Sequence, residues 1–259
     1  MILLILAIAI APGIAISLFV YFLHEFGRES VRQLLFSFVL GMLATVPPLL
    51  IQLTAGDVRE DPSRHSVLGF AWYAFIIVAL SEEGSKYLLL RYYAYPQSGF
   101  RGPFDGILFS VMIGMGFATV ENIEYVWQFG LETGVSRFFL SVPAHASFAV
   151  LMGYQVGWAK REPERRRWWM AKGLSIAVLF HGSFDFFLFL QQKRAALPYA
   201  GMLSFGSFAS FYIAVRLALR AIRMHSQEEQ EQEATDELDE PGETAAKNGT
   251  ADGELPQKF

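Results

Sequence analysis

Residues 66–90 read SVLGFAWYAFIIVALSEEGSKYLLL. A bilayer core takes about 20 mostly apolar residues per helix, and this stretch is long enough to cross one. Its apolar residues do not alternate with period two, which argues for a helix and against a transmembrane β-barrel strand. It nevertheless carries Glu82, Glu83 and Lys86 inside the apolar run. Charged groups placed among lipid-facing residues must find partners or water.

Six further apolar stretches lie on either side, at approximately 2–23, 33–54, 104–128, 135–158, 170–192 and 197–221. The expected fold is therefore all-α, a polytopic membrane bundle of about seven transmembrane helices. Residues 2–23 are uncharged, without a basic start or a small-residue cleavage site, so they are expected to remain as a span and not to be removed as a signal peptide.

Average composition conceals two different polymers. The 259 residues are 53% hydrophobic and 18% charged, with a net charge of -4. Residues 224–259 hold 11 acids against Lys247 and Lys258, a charge of -9, whereas residues 1–223 carry +5. Two domains follow: a transmembrane domain over 1–223 and a disordered, acidic, cytoplasmic tail over 224–259. An ordinary soluble enzyme needs about a quarter of its residues charged, and the front part falls short. The acidic balance excludes nucleic-acid binding, and no phosphate-binding loop is present for a nucleotide. With no cysteine, disulfides, thiolate metal sites and cysteine nucleophiles are all excluded. Any metal must use carboxylates and the five histidines His24, His65, His145, His181 and His225.

Lys and Arg in the short loops set orientation. With the N-terminus outside, the inner segments hold 13 basic residues and the outer ones 5. The chain is thus expected in the cell membrane with its N-terminus outside and its C-terminus cytoplasmic. The basic stretch 160–172, with Trp168 and Trp169, reads as a headgroup anchor.

Ionisable groups recur inside the spans: Glu82, Glu83 and Lys86, then Glu121 and Glu124, then His145, then His181 and Asp185. Each charged one costs about 2.5–3.5 kcal/mol at a helix centre on insertion scales, so they are expected to converge. Lys86 lies one helical turn after Glu82 and Glu83, and His181 one turn before Asp185. A snorkelling Glu82–Lys86 pair, or a His145 that only bridges helices, are the plainer readings of each feature taken alone. Known short motifs fail: His24-Glu25-Phe26-Gly27-Arg28 lacks the second histidine of a zincin, and no G-x-S-x-G elbow occurs. Carboxylate and histidine chemistry on a held water remains.

At these residues the chain resembles the PrsW family of polytopic intramembrane proteases. Glu82-Glu83-Gly84-Ser85-Lys86 matches the family's E-E-x-x-K, Phe117 to Glu121-Asn122 its F-x-x-x-E-N, and His181 to Asp185 its H-x-x-x-D. Pro143-Ala144-His145-Ala146 and Ile10-Ala11-Pro12-Gly13 are also similar to family segments, and the likeness covers roughly residues 8–223. It implies an endopeptidase acting on membrane-anchored proteins, anti-sigma factors among them, in the first cut of regulated intramembrane proteolysis. CAAX-type prenyl-endopeptidases are related, but Asp185 and Glu121 stand where that group has Asn and His.

The resulting expectation assigns Glu82 or Glu83 as general base, His181 as the group orienting water or donating to the oxyanion, and Asp185 as the residue fixing its tautomer. Glu121 and His145 complete the pocket, Asn122 is an oxyanion donor, and Lys86 balances the carboxylates. A second route places a divalent ion, zinc among the candidates, on His145 and His181 with Glu82, Glu83, Glu121 or Asp185. The metal-free route is preferred on sequence because no short metal motif is present. A proton-coupled transporter, which would show internal repeats, and a non-catalytic binding protein are the alternative functions. One difficulty attends every version: counted along their spans, Glu82 and Glu121 fall at different depths. Deleting residues 226–259 is expected to leave cleavage of a membrane-anchored substrate unchanged, as measured by the initial rate against the full chain.

Overall fold

The computed structural model describes residues 2–22, 30–56, 58, 66–191 and 205–223, with side chains from Leu6 onward. His24, His65, His225 and the acidic segment lie outside the described residues. The described chain is helical, without strands: α1 (Ile2–Phe22), α2 (Val31–Leu43), α3 (Val46–Ala55), α4 (Val67–Ala94), α5 (Pro103–Phe129), α6 (Leu131–Phe139), α7 (Ser141–Arg161), α8 (Arg166–Leu190) and α9 (Phe205–Arg223).

Among the described residues six helical segments, from α2–α3 onward, are long and apolar enough to cross a membrane, and α1 adds a shorter apolar stretch over Leu6–Phe22. Two expected spans are broken. The stretch 33–54 divides at Ala44 and Thr45 because Pro47 and Pro48 follow, and proline both lacks an N–H and disfavours helix in the residue before it. The stretch 135–158 divides at Leu140, giving the amphipathic α6 and the longer α7.

The polarity of the bundle is the reverse of a soluble protein. Leu35, Phe36, Leu50, Leu53, Leu68, Trp72, Leu88 and Leu179 are exposed, while Glu82, Glu83, Lys86, His145, His181 and Asp185 are buried. In lipid this is the arrangement expected, since apolar side chains lose nothing by facing acyl chains and polar ones must be enclosed.

At the centre is α5, buried along nearly its whole length, with α1, α2 and α7 packed around it and α8 against α7. Backbones meet directly where glycines face each other. A Cβ on Gly106 would strike the Gly153 carbonyl and one on Gly153 the Gly106 carbonyl; Gly116 of α5 stands likewise against Phe38 of α2. Small residues permit this approach, and close van der Waals contact drives helix association where lipid is as apolar as leucine.

In α4 the buried residues Phe70, Ala74, Val78, Glu82, Lys86, Leu90 and Ala94 recur at every fourth position. An α-helix turns once per 3.6 residues, so such a stripe would drift around it. Wider π-helical turns over Tyr73–Ala79 and Leu90–Ala94 flank the α-helical Leu80–Leu89 and keep the stripe facing inward. The acidic pair is thereby aimed at α7 and α8.

Two glycines should respond oppositely in thermal unfolding in detergent. Gly153→Val overpacks the α5–α7 contact and is expected to cost about 1–3 kcal/mol or more. Gly84→Ala, with no atom near the added methyl, is expected to raise stability by up to about 1 kcal/mol through helix propensity.

Candidate active site

The α-helical part of α4 sends Glu82, Glu83 and Lys86 inward as one turn of side chains. Lys86 Nζ donates to Glu83 Oε1 at 2.7 Å and lies 3.8 Å from Glu82 Oε2. The lysine does not snorkel outward: it is 4% exposed and sits 4.0 Å over the Phe117 ring. Its fourth neighbour is His145 Nδ1 on α7, at 3.2 Å.

From α8, His181 meets carboxylates at both ring nitrogens. Nδ1 is 2.8 Å from Glu83 Oε1, while Nε2 is 3.2 Å from Asp185 Oδ2 and 3.9 Å from Glu82 Oε2. The ring stacks on Phe148 and stands edge-on to His145, each with centroids 5.2 Å apart. His145 turns its other nitrogen, Nε2, to Glu121 Oε2 at 2.8 Å. His145 therefore bridges the depth difference between Glu121 and the α4 cluster.

Five of these residues, Glu82, Glu121, His145, His181 and Asp185, line a cavity of about 280 Å³. The cavity reaches Phe129 at the end of α5, Leu188 and Phe189 near the end of α8, and Ser141 at the start of α7. Glu83 is 1% exposed and is not on its wall. Glu124 faces outward and accepts from Gln128. Asn122, expected to point at an oxyanion, is wholly buried with both ends engaged: Nδ2 donates to the Ala9 carbonyl at 2.9 Å, and Oδ1 accepts from Arg137 Nε at 3.0 Å.

Two site residues escaped the sequence reading. Gln52 of α3 lines the cavity and donates to Glu82 Oε1 at 3.2 Å; a lone amide within an apolar span was its signal. Arg137 of α6 also lines the cavity and lies 3.0 Å from Glu121 Oε2. In sequence it counts as an outer loop charge, and nothing local indicates a partner across the Gly130 turn.

The donor set suits a cation once Lys86 Nζ, 3.2 Å from His145 Nδ1, turns away and frees that nitrogen. Ligand atoms of Glu82, His145 and His181 lie within 4.8 Å of one another. Glu82 Oε2 is buried without a hydrogen-bond partner. Around the cavity, four carboxylates (Glu82, Glu83, Glu121 and Asp185) face two cationic side chains (Lys86 and Arg137), leaving a formal excess of two negative charges when the histidines are neutral. Two histidines and a carboxylate form a common hydrolytic metal set.

Comparison with known proteins agrees with this chemistry. A family profile described as "PrsW family intramembrane metalloprotease" matches residues 29–218. The chain belongs to this family. It is 36% identical to Protease PrsW of Shouchella clausii, over 70% of this chain and 81% of that protein. Protease PrsW of Halalkalibacterium halodurans is 33% identical over 73% and 85%, and that of Bacillus subtilis 33% over 71% and 82%. No solved structure matches. This PrsW family member is accordingly a membrane protein and an intramembrane protease, a hydrolase.

Removing the one cation shared by the α4 carboxylates should be costly. Lys86→Met is expected to destabilise the chain by about 3–5 kcal/mol, because it takes from the buried carboxylates the cation they share. Adding Glu83→Gln to that variant should restore part of the thermal midpoint.

Proposed function

We propose that this chain cleaves a peptide bond of a protein anchored by a single transmembrane helix, the class to which anti-sigma factors belong, and that Glu82, His145 and His181 hold a divalent ion at the reacting centre. The observation that carries this reading is the meeting of these three side chains from α4, α7 and α8 on one cavity wall. Its His₂-carboxylate composition favours zinc. The metal-free route preferred on sequence is set aside, since it leaves the charge excess and the orphaned Glu82 oxygen without a counterpart.

When bound, the ion supplies Lewis-acid polarisation of the scissile carbonyl and activation of water. The protein groups do the rest. Glu83, held by Lys86, accepts the His181 Nδ1 proton and so directs Nε2 toward Glu82 and Asp185. Asp185, on the cavity wall, takes a proton from the attacking water and delivers it to the amide nitrogen as the C–N bond breaks. Gln52 steadies Glu82 through its other oxygen. Glu83 is thus a positioning residue, not the base, and the tautomer of His181 is set from Glu83 and not from Asp185.

Orientation completes the proposal. The cavity reaches the end of the bundle where α5 and α8 finish and α7 begins. With the N-terminus outside and the C-terminus inside, that is the outer end, so the substrate is cut near the outer face of the membrane.

In proteoliposomes with a tagged single-span substrate, Glu82→Gln, His181→Ala and Asp185→Asn are each expected to lower the cleavage rate by at least about 10²-fold, the lower range for removing an acid–base group. Cleavage by all three at the parental rate would refute the assignment.

A further inference from the structure

Arg137 is a charged residue of the cavity wall to which the reaction as described gives no role. It comes from α6, a nine-residue amphipathic helix, yet it is only 9% exposed. Its guanidinium meets three groups of α5: Nε donates to Asn122 Oδ1 at 3.0 Å, Nη2 lies in ion-pair contact 3.0 Å from Glu121 Oε2 without hydrogen-bond geometry, and the Tyr125 ring is 4.0 Å away. Residues 121, 122 and 125 share one side of α5, so one guanidinium reaches all three, by an ion pair, a hydrogen bond and a ring contact. Asn122 is itself tied to α1 through the Ala9 carbonyl.

The same Glu121 oxygen that meets Arg137 also meets His145 Nε2, at 2.8 Å. A carboxylate oxygen ion-paired to a guanidinium on one side and bonded to an imidazole on the other has little freedom to turn. It therefore receives the Nε2 proton in a fixed place and leaves Nδ1 facing the α4 cluster, where Lys86 Nζ lies 3.2 Å away. Lysine in place of Arg137 would keep the charge but lose the second arm to Asn122.

We propose that Arg137 is a positioning residue for hydrolysis, acting through Glu121 to fix the orientation and tautomer of His145. The proposal rests on the assignment of His145 to the reacting centre. It also explains the adjacent Glu121-Asn122 pair: one is the ion-pair partner and the other the hydrogen-bond acceptor of the same arginine.

The test is a mutant cycle on the full chain in proteoliposomes. Arg137→Gln is expected to lower kcat at least about tenfold, as loss of an outer partner of a ligating histidine does, with KM changed less than about twofold. Arg137→Lys should recover part of that loss. Glu121→Gln and the double variant Arg137→Gln/Glu121→Gln should cleave at equal rates within about twofold, since the arginine acts only through the carboxylate. Parental kcat in Arg137→Gln, or losses that multiply in the double variant, would overturn the inference. Should Arg137→Gln not yield a monodisperse protein, the cycle is run with Arg137→Lys, and equal rates for Glu121→Gln with and without it are again required. Glu82→Gln in the same assay separates the two levels: if it cleaves normally, the reacting centre is misassigned, whereas its inactivity beside a fully active Arg137→Gln sinks only the role of Arg137.

Discussion

Four carboxylates enclosed by apolar helices, faced among the described residues by the cations Lys86 and Arg137, set the terms for this molecule. Taking even paired charges out of water costs several kcal/mol per ion, and a membrane offers no water to soften it. Such a cluster persists only if every helix that contributes a charge is held against the others. Glu82 and Glu83 come from α4, Glu121 from α5, His145 from α7, and His181 with Asp185 from α8. The packing of the bundle and the chemistry of the site are therefore one problem.

Two backbone devices meet that demand. Glycine contacts between α5 and α7 and between α5 and α2 bring helix axes close enough for side chains of modest length to reach across. The π-helical turns of α4 correct the phase of a four-residue stripe, so that Glu82 and Lys86 stay on the same inward line as Val78 and Leu90. His145 then does what helix geometry alone does not: with Lys86 at one ring nitrogen and Glu121 at the other, it joins charges that lie at different distances along their helices.

Much of this was legible in the sequence, and for a physical reason. Ionisable residues in apolar runs are so costly that their mere presence predicts convergence, and Glu82, Glu83, Lys86, Glu121, His145, His181 and Asp185 do converge. Spacing also signalled the Lys86–Glu83 and His181–Asp185 contacts, which lie within one helical turn. What sequence did not reveal were relations across helices. Asn122 reads as a free amide until Ala9 and Arg137 are seen at its two ends. Arg137 reads as a loop charge until α6 folds it under the cavity, and the prolines at 47 and 48 break an apolar run that hydropathy alone treats as continuous.

The central claim is that Glu82, His145 and His181 form a single metal centre. Elemental analysis of the purified full chain, beside His145→Ala and His181→Ala, addresses it without reference to any substrate. The account predicts about one divalent ion per parental chain, as a single hydrolytic site requires, and loss of most of that metal in both variants while they remain monodisperse. A parental chain that is fully active without stoichiometric metal, or histidine variants that retain the ion, would contradict it.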